Sequence, residues 1–235
     1  SMLFTGCSKK AESKVPDKLI VGTNAEFPPF EYMNDKKQPE GFDIAMIKEI
    51  GKRMGKKVEI KNMEFKSLIG AMESDSINAI IAGMTKTEKR EKAVDFSDSY
   101  YTTNQAIILK KDSKITKLAQ LDGKKIGVQE GTTGDLISSG DKFGDGKKAK
   151  VLVKGAKVKR FKKGVDAVMD LKNGSVDAVV IDELTANEFV KKNAKKLKIV
   201  IDSAGSEYYC IALTKGNTAY KEEVNKQIKA IKEDG

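Results

Sequence analysis

Hydrophobic positions along the chain switch repeatedly between two periods. Short β-rich runs occur at 18–21, 58–60, 77–82, 105–109, 125–128, 157–161, 176–181, 197–201 and 208–213, and each reads as a strand. Between them the spacing becomes helical. Apolar residues at Phe42, Ile44, Ala45, Ile47, Ile50 and Met54 predict a helix over 42–54, and shorter patterns predict helices over 68–72 and 220–231. The run Ile77 to Ala82 is almost wholly apolar, as in a strand buried on both faces of a parallel sheet. The alternation predicts an α/β architecture with mostly parallel strands.

One stretch echoes another. Met72-x4-Ile77-Asn78-Ala79-Ile80-Ile81 has the same pattern as Leu171-x4-Val176-Asp177-Ala178-Val179-Val180, 99 positions later. Two unrelated buried strands could share that pattern; two similar lobes explain it more fully. The lobes would then carry Gly83-Met84-Thr85 and Asp182-Glu183 at the carboxyl ends of their strands, where open α/β sheets bind ligands. Residues 18–109 with 208–235 are expected to form lobe 1, and 112–204 lobe 2. The chain would cross between them at 110–111 and 205–207, and a ligand would lie in the cleft.

Composition narrows the chemistry. The 235 residues include no His and no Trp, which removes Ser-His-Asp and Cys-His relays and any His-ligated metal. Only Cys7 and Cys210 could supply thiolate, too few for a Cys-rich zinc or iron–sulfur site. No cofactor is expected. No apolar run approaches the ~20 residues that span a bilayer. The net charge of +10 comes from 44 Lys+Arg against 34 Asp+Glu, and only Arg53, Arg90 and Arg160 are arginines. The lysines are scattered, without the interleaved aromatics that stack on bases, so nucleic acid is not an expected partner. Leu3-Phe4-Thr5-Gly6-Cys7-Ser8, followed by a polar stretch, looks like the tail of a bacterial lipoprotein signal. Residues 1–17 would then be a tether with Cys7 as the lipidated residue. Cys210, inside an apolar run, reads as a buried core thiol with no disulfide partner.

Three polar segments stand out from this scaffold. Residues 22–31 form a strand end and a stiff Pro28-Pro29 turn flanked by Phe27 and Phe30, either cleft walls or core plugs. Residues 83–90 end in Arg90, a scarce guanidinium suited to bidentate capture of a carboxylate, although Thr87-Glu88 also reads as helix capping. Residues 129–135 place Thr132 and Thr133 at a helix start, where free N–H groups attract an anion or simply await a cap. Asp182 follows a buried strand, where it caps the next helix or supplies a counter-charge for an ammonium group. A guanidinium for a carboxylate and an aspartate for an amine together describe a receptor for a free amino acid.

The chain resembles the bacterial extracellular solute-binding proteins that serve amino-acid ABC importers, with the two-lobed type II periplasmic-binding fold. The likeness covers nearly all of 18–234. It rests on Gly-Thr-x-Ala-x-Phe-Pro-Pro-Phe-Glu (22–31), Gly-Phe-Asp (41–43), Ala-Gly-Met-Thr-x-Thr-x-x-Arg (82–90), Val-Asp-Phe-Ser-Asp-x-Tyr-Tyr (94–101) and Gly-Thr-Thr-Gly-Asp (131–135). The resemblance implies that Arg90 holds the α-carboxylate with Thr85, Thr133 and nearby amides, in a cleft that also includes Met84 and Thr132. Gly83, through its carbonyl, and Asp182 would take the ammonium. Phe27 and Phe65 would sandwich the ligand side chain, and Asn24, Glu26 and Glu130 would tune its polar end. Relatives that take basic amino acids often carry an acid where this chain has Asn24, a place Glu26 could fill. The implied ligand is a polar amino acid, cationic first, then glutamine or cystine. The implied partner is a membrane permease, and the implied state is a monomer outside the cytoplasm, touching the membrane only through its lipid anchor. A dehydratase or a sensor domain of the same fold are the competing readings; the chain is expected not to be an enzyme.

Overall fold

The computed structural model describes residues 13–141 and 153–235. The expected lipidation at Cys7 lies outside the described residues. The first part of the chain runs through β1 (Lys18–Thr23), β2 (Glu26–Phe27), β3 (Glu31–Met33), β4 (Pro39–Glu40), α1 (Phe42–Arg53) and β5 (Lys57–Asn62). It continues through α2 (Leu68–Glu73), β6 (Ala79–Ile80), α3 (Glu88–Glu91) and the long β7 (Val94–Lys110). The second part has β8 (Lys125–Gln129), α4 (Thr133–Ser138), β9 (Lys157–Phe161), α5 (Gly164–Asn173), β10 (Ala178–Asp182) and α6 (Glu183–Lys191). The equally long β11 (Leu197–Thr214) returns alongside β7, and α7 (Thr218–Asp234) closes the chain.

Among the described residues the main sheet has the order β5-β1-β6-β11-β7-β10-β8-β9, with β2-β3-β4 as a separate small sheet. Its outer strands pair in parallel, β5-β1-β6 on one side and β10-β8-β9 on the other. The inner pairings, β6–β11, β11–β7 and β7–β10, are antiparallel. Two half-sheets therefore share a central ribbon of two long strands. The ribbon's ladder slips between Asp202↔Gln105 and Glu207↔Thr103. Such an irregularity bends a strand and increases its twist.

The register shows which strands the residues near the expected crossing pair with. Residues 105–109 were expected in lobe 1, with the crossing at 110–111. Gln105, Ala106, Ile107 and Ile108 pair with Asp182, Ile181, Val180 and Val179 of β10, in the second half-sheet. The apolar strand pattern at 105–109 was visible, but β7 already begins at Val94 and passes through a polar stretch. Its residues 105–109 are all buried, and 105–108 have partners on both sides, which no local pattern reveals.

The helices follow their patterns closely. α1 ends at Arg53, one residue before the expected limit, and Gly55 supplies the positive φ of 66° that turns the chain into β5. α7 starts earlier than expected because the Asn217 side chain caps it, accepting the Tyr220 N–H at 3.2 Å. Cys210 is a buried free thiol packed with Leu68, Ile77 and Phe96, and burial pushes its pKa up to about 11. Among the described residues no helix is long and apolar enough to cross a membrane.

Candidate functional site

The strand ends converge. Residues at or after the ends of β6, β8 and β10, together with Phe27 of β2 and Phe65 after β5, line a small cavity of about 10 Å³. Its walls are Phe27, Phe65, Gly83, Thr85, Arg90, Gln129, Thr132, Thr133 and Asp182. Eight of these nine were expected from the sequence. They come from both halves of the sheet, which accounts for the polar clusters at equivalent places in the two echoing units.

Arg90 is buried in α3, whose first turn is set by Thr87: its hydroxyl accepts the Arg90 N–H at 3.1 Å. The capping reading of Thr87 therefore holds alongside the placement of Arg90. The guanidinium donates from Nη1 to Thr85 O at 2.6 Å and from Nη2 to Gly131 O at 3.1 Å, joining one half to the other. It also stands over the Phe65 ring, 5.5 Å from the centroid. Burial pulls its pKa down to about 10, opposed by the charges of Glu207 and Asp182, so it stays cationic at neutral pH.

Asp182 sits immediately before α6, yet its side chain makes no cap to that helix. Instead Oδ1 accepts Gln105 Nε2 at 2.7 Å, and Oδ2 accepts the Tyr209 hydroxyl. Burial, with the charge of Glu207 added, raises its pKa to about 7; Tyr209, Gln105 and Arg90 pull the other way. The capping alternative for Asp182 is thereby removed.

The hydroxyls form a relay. Gln105 Nε2 donates to Thr133 Oγ1 at 3.0 Å, and Thr133 Oγ1 donates to Glu207 Oε2 at 2.9 Å. Thr85 Oγ1, from the other half, donates to the same Glu207 oxygen at 2.9 Å. Thr132 caps α4, accepting the Asp135 N–H at 3.3 Å, and its own hydroxyl donates to Gln129 O at 2.8 Å. Arg160 Nε reaches both Asp135 oxygens at 3.0 Å and braces the start of that short helix.

Four expected site residues do not line the cavity. Asn24 is buried behind it, donating to Met63 O and accepting Gln129 Nε2, each at 2.8 Å; it touches the cavity only through Gln129. Glu26 and Glu130 stand at the rim, pairing with Lys163 at 3.6 Å and Lys66 at 3.4 Å across the two halves. Met84 is enclosed in the core beside Phe65 and Phe96. A side chain's neighbour in sequence points the other way along an extended segment, which is why Thr85 faces the cavity and Met84 does not. Of the two candidate aromatic walls in 22–31, Phe27 lines the cavity, while Phe30 plugs the core against Tyr101 and Tyr209 at 5.2 and 5.0 Å.

Gln129, Gln105, Glu207 and Tyr209 were missed. Glu207 and Gln105 each open an apolar run, and a charged or amide residue at the mouth of a buried strand was the available signal. Nothing local distinguishes Tyr209 from a core aromatic. Among the described residues no cluster of three or more acidic or thiol side chains could hold a metal ion.

The comparisons with known proteins agree with this geometry. The model for bacterial extracellular solute-binding proteins, family 3, matches residues 19–235. The chain is 34% identical over 233 residues to the arginine-binding extracellular protein ArtP of Bacillus subtilis (strain 168), covering 98% of this chain and 87% of that one. A solved structure of an ancestral arginine-binding protein bound to arginine superposes with a TM-score of 0.82 at 42% identity, covering 94% of this chain and 95% of that one. An ancestral arginine-binding protein bound to glutamine gives a TM-score of 0.81 at 41% identity, covering 94% and 95%. The family match over nearly the whole chain and the relatives at this identity and coverage show that the chain belongs to the bacterial extracellular solute-binding proteins, family 3.

Proposed function

We propose that this chain is the ligand-binding receptor of an ABC importer for a cationic amino acid, with arginine as its preferred ligand. The observation that carries the reading is a single cavity containing a buried guanidinium, a buried carboxylate that titrates near neutrality, and two phenyl rings. Arg90 takes the α-carboxylate as a charge-assisted pair. Asp182, with Gly83, takes the α-ammonium, while Phe27 and Phe65 enclose the aliphatic stem. The side-chain end points toward the rim, past Gln129, to Glu26 and Glu130, which are paired with Lys163 and Lys66, while Asn24 acts only through its bond to Gln129. The hydroxyls of Thr85 and Thr133 already donate to Glu207, so a carboxylate draws on them only if Glu207 gives them up. Thr132 and the amides of the α4 start complete that end.

The groups suit ground-state recognition of a zwitterion, and the relatives are binding proteins of transporters, so the reading is a carrier. The two halves open and close about the ribbon where its register slips, near 103–105 and 202–207, a boundary that revises the expected crossing. The bend is absorbed by two strands. The receptor works outside the cytoplasm as a monomer, tethered through Cys7 and delivering its ligand to a membrane permease.

Calorimetry with arginine, lysine, histidine, glutamine and cystine tests the ligand. Arginine is expected to bind tightest; tightest binding of cystine would overturn the reading. Glutamine is the second reading, favoured by the neutral Asn24–Gln129 amide pair beside the cavity. Small-angle scattering tests the motion: the radius of gyration falls on binding if the halves close, and superimposable profiles refute closure.

A further inference from the structure

Two acidic motif residues, Glu31 and Asp43, take no part in the site as described, yet both are fully buried. Glu31 opens β3, Asp43 is the second residue of α1, and Gly83 follows β6, so three separate elements meet here. Asp43 Oδ2 accepts the Gly83 N–H at 2.7 Å. Gly83 lines the cavity with φ at 52°, and a Cβ there would stand 2.8 Å from the Phe27 ring. Its backbone groups are therefore all it can offer a ligand, and Asp43 is what anchors them.

The Asp43 N–H donates to Phe30 O at 2.9 Å, which brings Asp43 beside Glu31, and the two buried carboxyls act on one another. As a pair of carboxylates they offer each other only lone pairs, and both Glu31 oxygens then lack a donor. One proton converts that repulsion into an O–H···O bond. The other ionisable groups acting on the pair are the Tyr100 phenol from β7 and the Asp182 carboxylate from β10, and neither is a cation. Burial raises Asp43 as well, but it has the better claim to the negative charge, because its Oδ2 accepts the Gly83 N–H whereas neither Glu31 oxygen has a donor. Burial and the adjacent Asp43 charge hold Glu31 well above the usual carboxyl range.

We propose that Glu31 and Asp43 share a single proton, Glu31 neutral and Asp43 ionised, and that the pair positions Gly83 for the ligand's ammonium group. They are positioning residues, and the inference rests on the assignment of Gly83 and Asp182 to the ammonium end. Keeping Glu31 neutral also avoids adding its charge to that of Asp182 behind the same end of the cavity.

Infrared difference spectroscopy of wild type against Glu31→Gln, at neutral pH, tests the proton directly. An un-ionised carboxylic acid band that disappears in the variant is expected; its absence from wild type overturns the pairing whatever the protein binds. Calorimetry tests the positioning. Glu31→Gln copies the neutral acid and should bind arginine within about threefold of wild type, whereas Asp43→Ala should lose about 10- to 100-fold, as for a lost charge-assisted bond. The des-amino analogue 5-guanidinopentanoate should be affected much less. Equal losses for both ligands, or Glu31→Gln falling as far as Asp43→Ala, would refute the proposal. If Asp43→Ala fails to fold, Asp43→Asn and the infrared result carry the same test. Failure of wild type to bind arginine would count against the ligand assignment alone, leaving the infrared outcome standing.

Discussion

The two charged ends of the cavity are built in opposite ways. At one end Arg90 spends two N–H groups on backbone carbonyls, Thr85 O and Gly131 O, and lies against the Phe65 ring. At the other, Asp182 accepts from two neutral side chains, Gln105 and Tyr209, with Glu207 nearby as a like charge. Burial works against both charges. Yet the arginine starts so high that a pKa of about 10 leaves it ionised, while the aspartate arrives at about 7. The Arg90 charge is therefore permanent, and the Asp182 charge is conditional on pH.

The most direct way to break this comparison is to remove its permanent member. Arg90→Ala should cost roughly 2–5 kcal/mol of arginine binding, the usual loss when one partner of a buried charge pair is truncated. Calorimetry on a variant with native circular dichroism would show it, and affinity within about threefold of wild type would contradict the assignment. Asp182→Asn should come next, at about 1.5–3 kcal/mol for arginine and far less for the des-amino analogue. Equal losses for the two would return Asp182 to a purely structural role.

The conditional end makes a prediction of sign. On the proposed reading an ammonium group pairs with ionised Asp182, and affinity should then fall by up to about tenfold per pH unit below roughly pH 7. 5-Guanidinopentanoate, which lacks the ammonium, should show no such slope. The stability of the free protein runs the other way. Asp182 is raised on folding, so between the ordinary value of 3.8 and about 7 the native state holds the proton that the unfolded state has released. That contribution is fully present below the window and is lost as pH rises through it. Thermal melts across the window should show it, and a contribution that instead rises with pH would contradict the burial argument. The smallest expected effect sharpens the cause: Glu207→Gln removes a repelling charge, and should move the binding midpoint down by about one unit or less.

Much of the cleft was legible from local sequence. Arg90 was conspicuous because arginine is scarce among so many lysines, and Thr85, Thr132, Thr133 and Asp182 followed recognisable strand ends. The residues that support them were not. Glu207 receives hydroxyls from Thr85 and Thr133, 122 and 74 positions away in the chain, and Gln105 links Thr133 to Asp182 over 28 and 77. Partners so distant leave no spacing signature. Glu26 and Glu130 were readable as acids near a cleft, but their commitment to Lys163 and Lys66 at the rim was not.

By itself the sequence determined the alternation of strands and helices, the repetition of one helix–strand unit, and the types of charge available without histidine. Those follow from periodicity and composition, which are properties of neighbouring residues. Only the tertiary structure decided that residues 105–108 belong to the second half-sheet, because β10 competes for their hydrogen bonds. It also decided that Phe27 meets the cavity while Phe30 fills the core, and that two buried acids stand behind Gly83. Each of these depends on which distant surface arrives beside a residue, and on how burial reprices its charge.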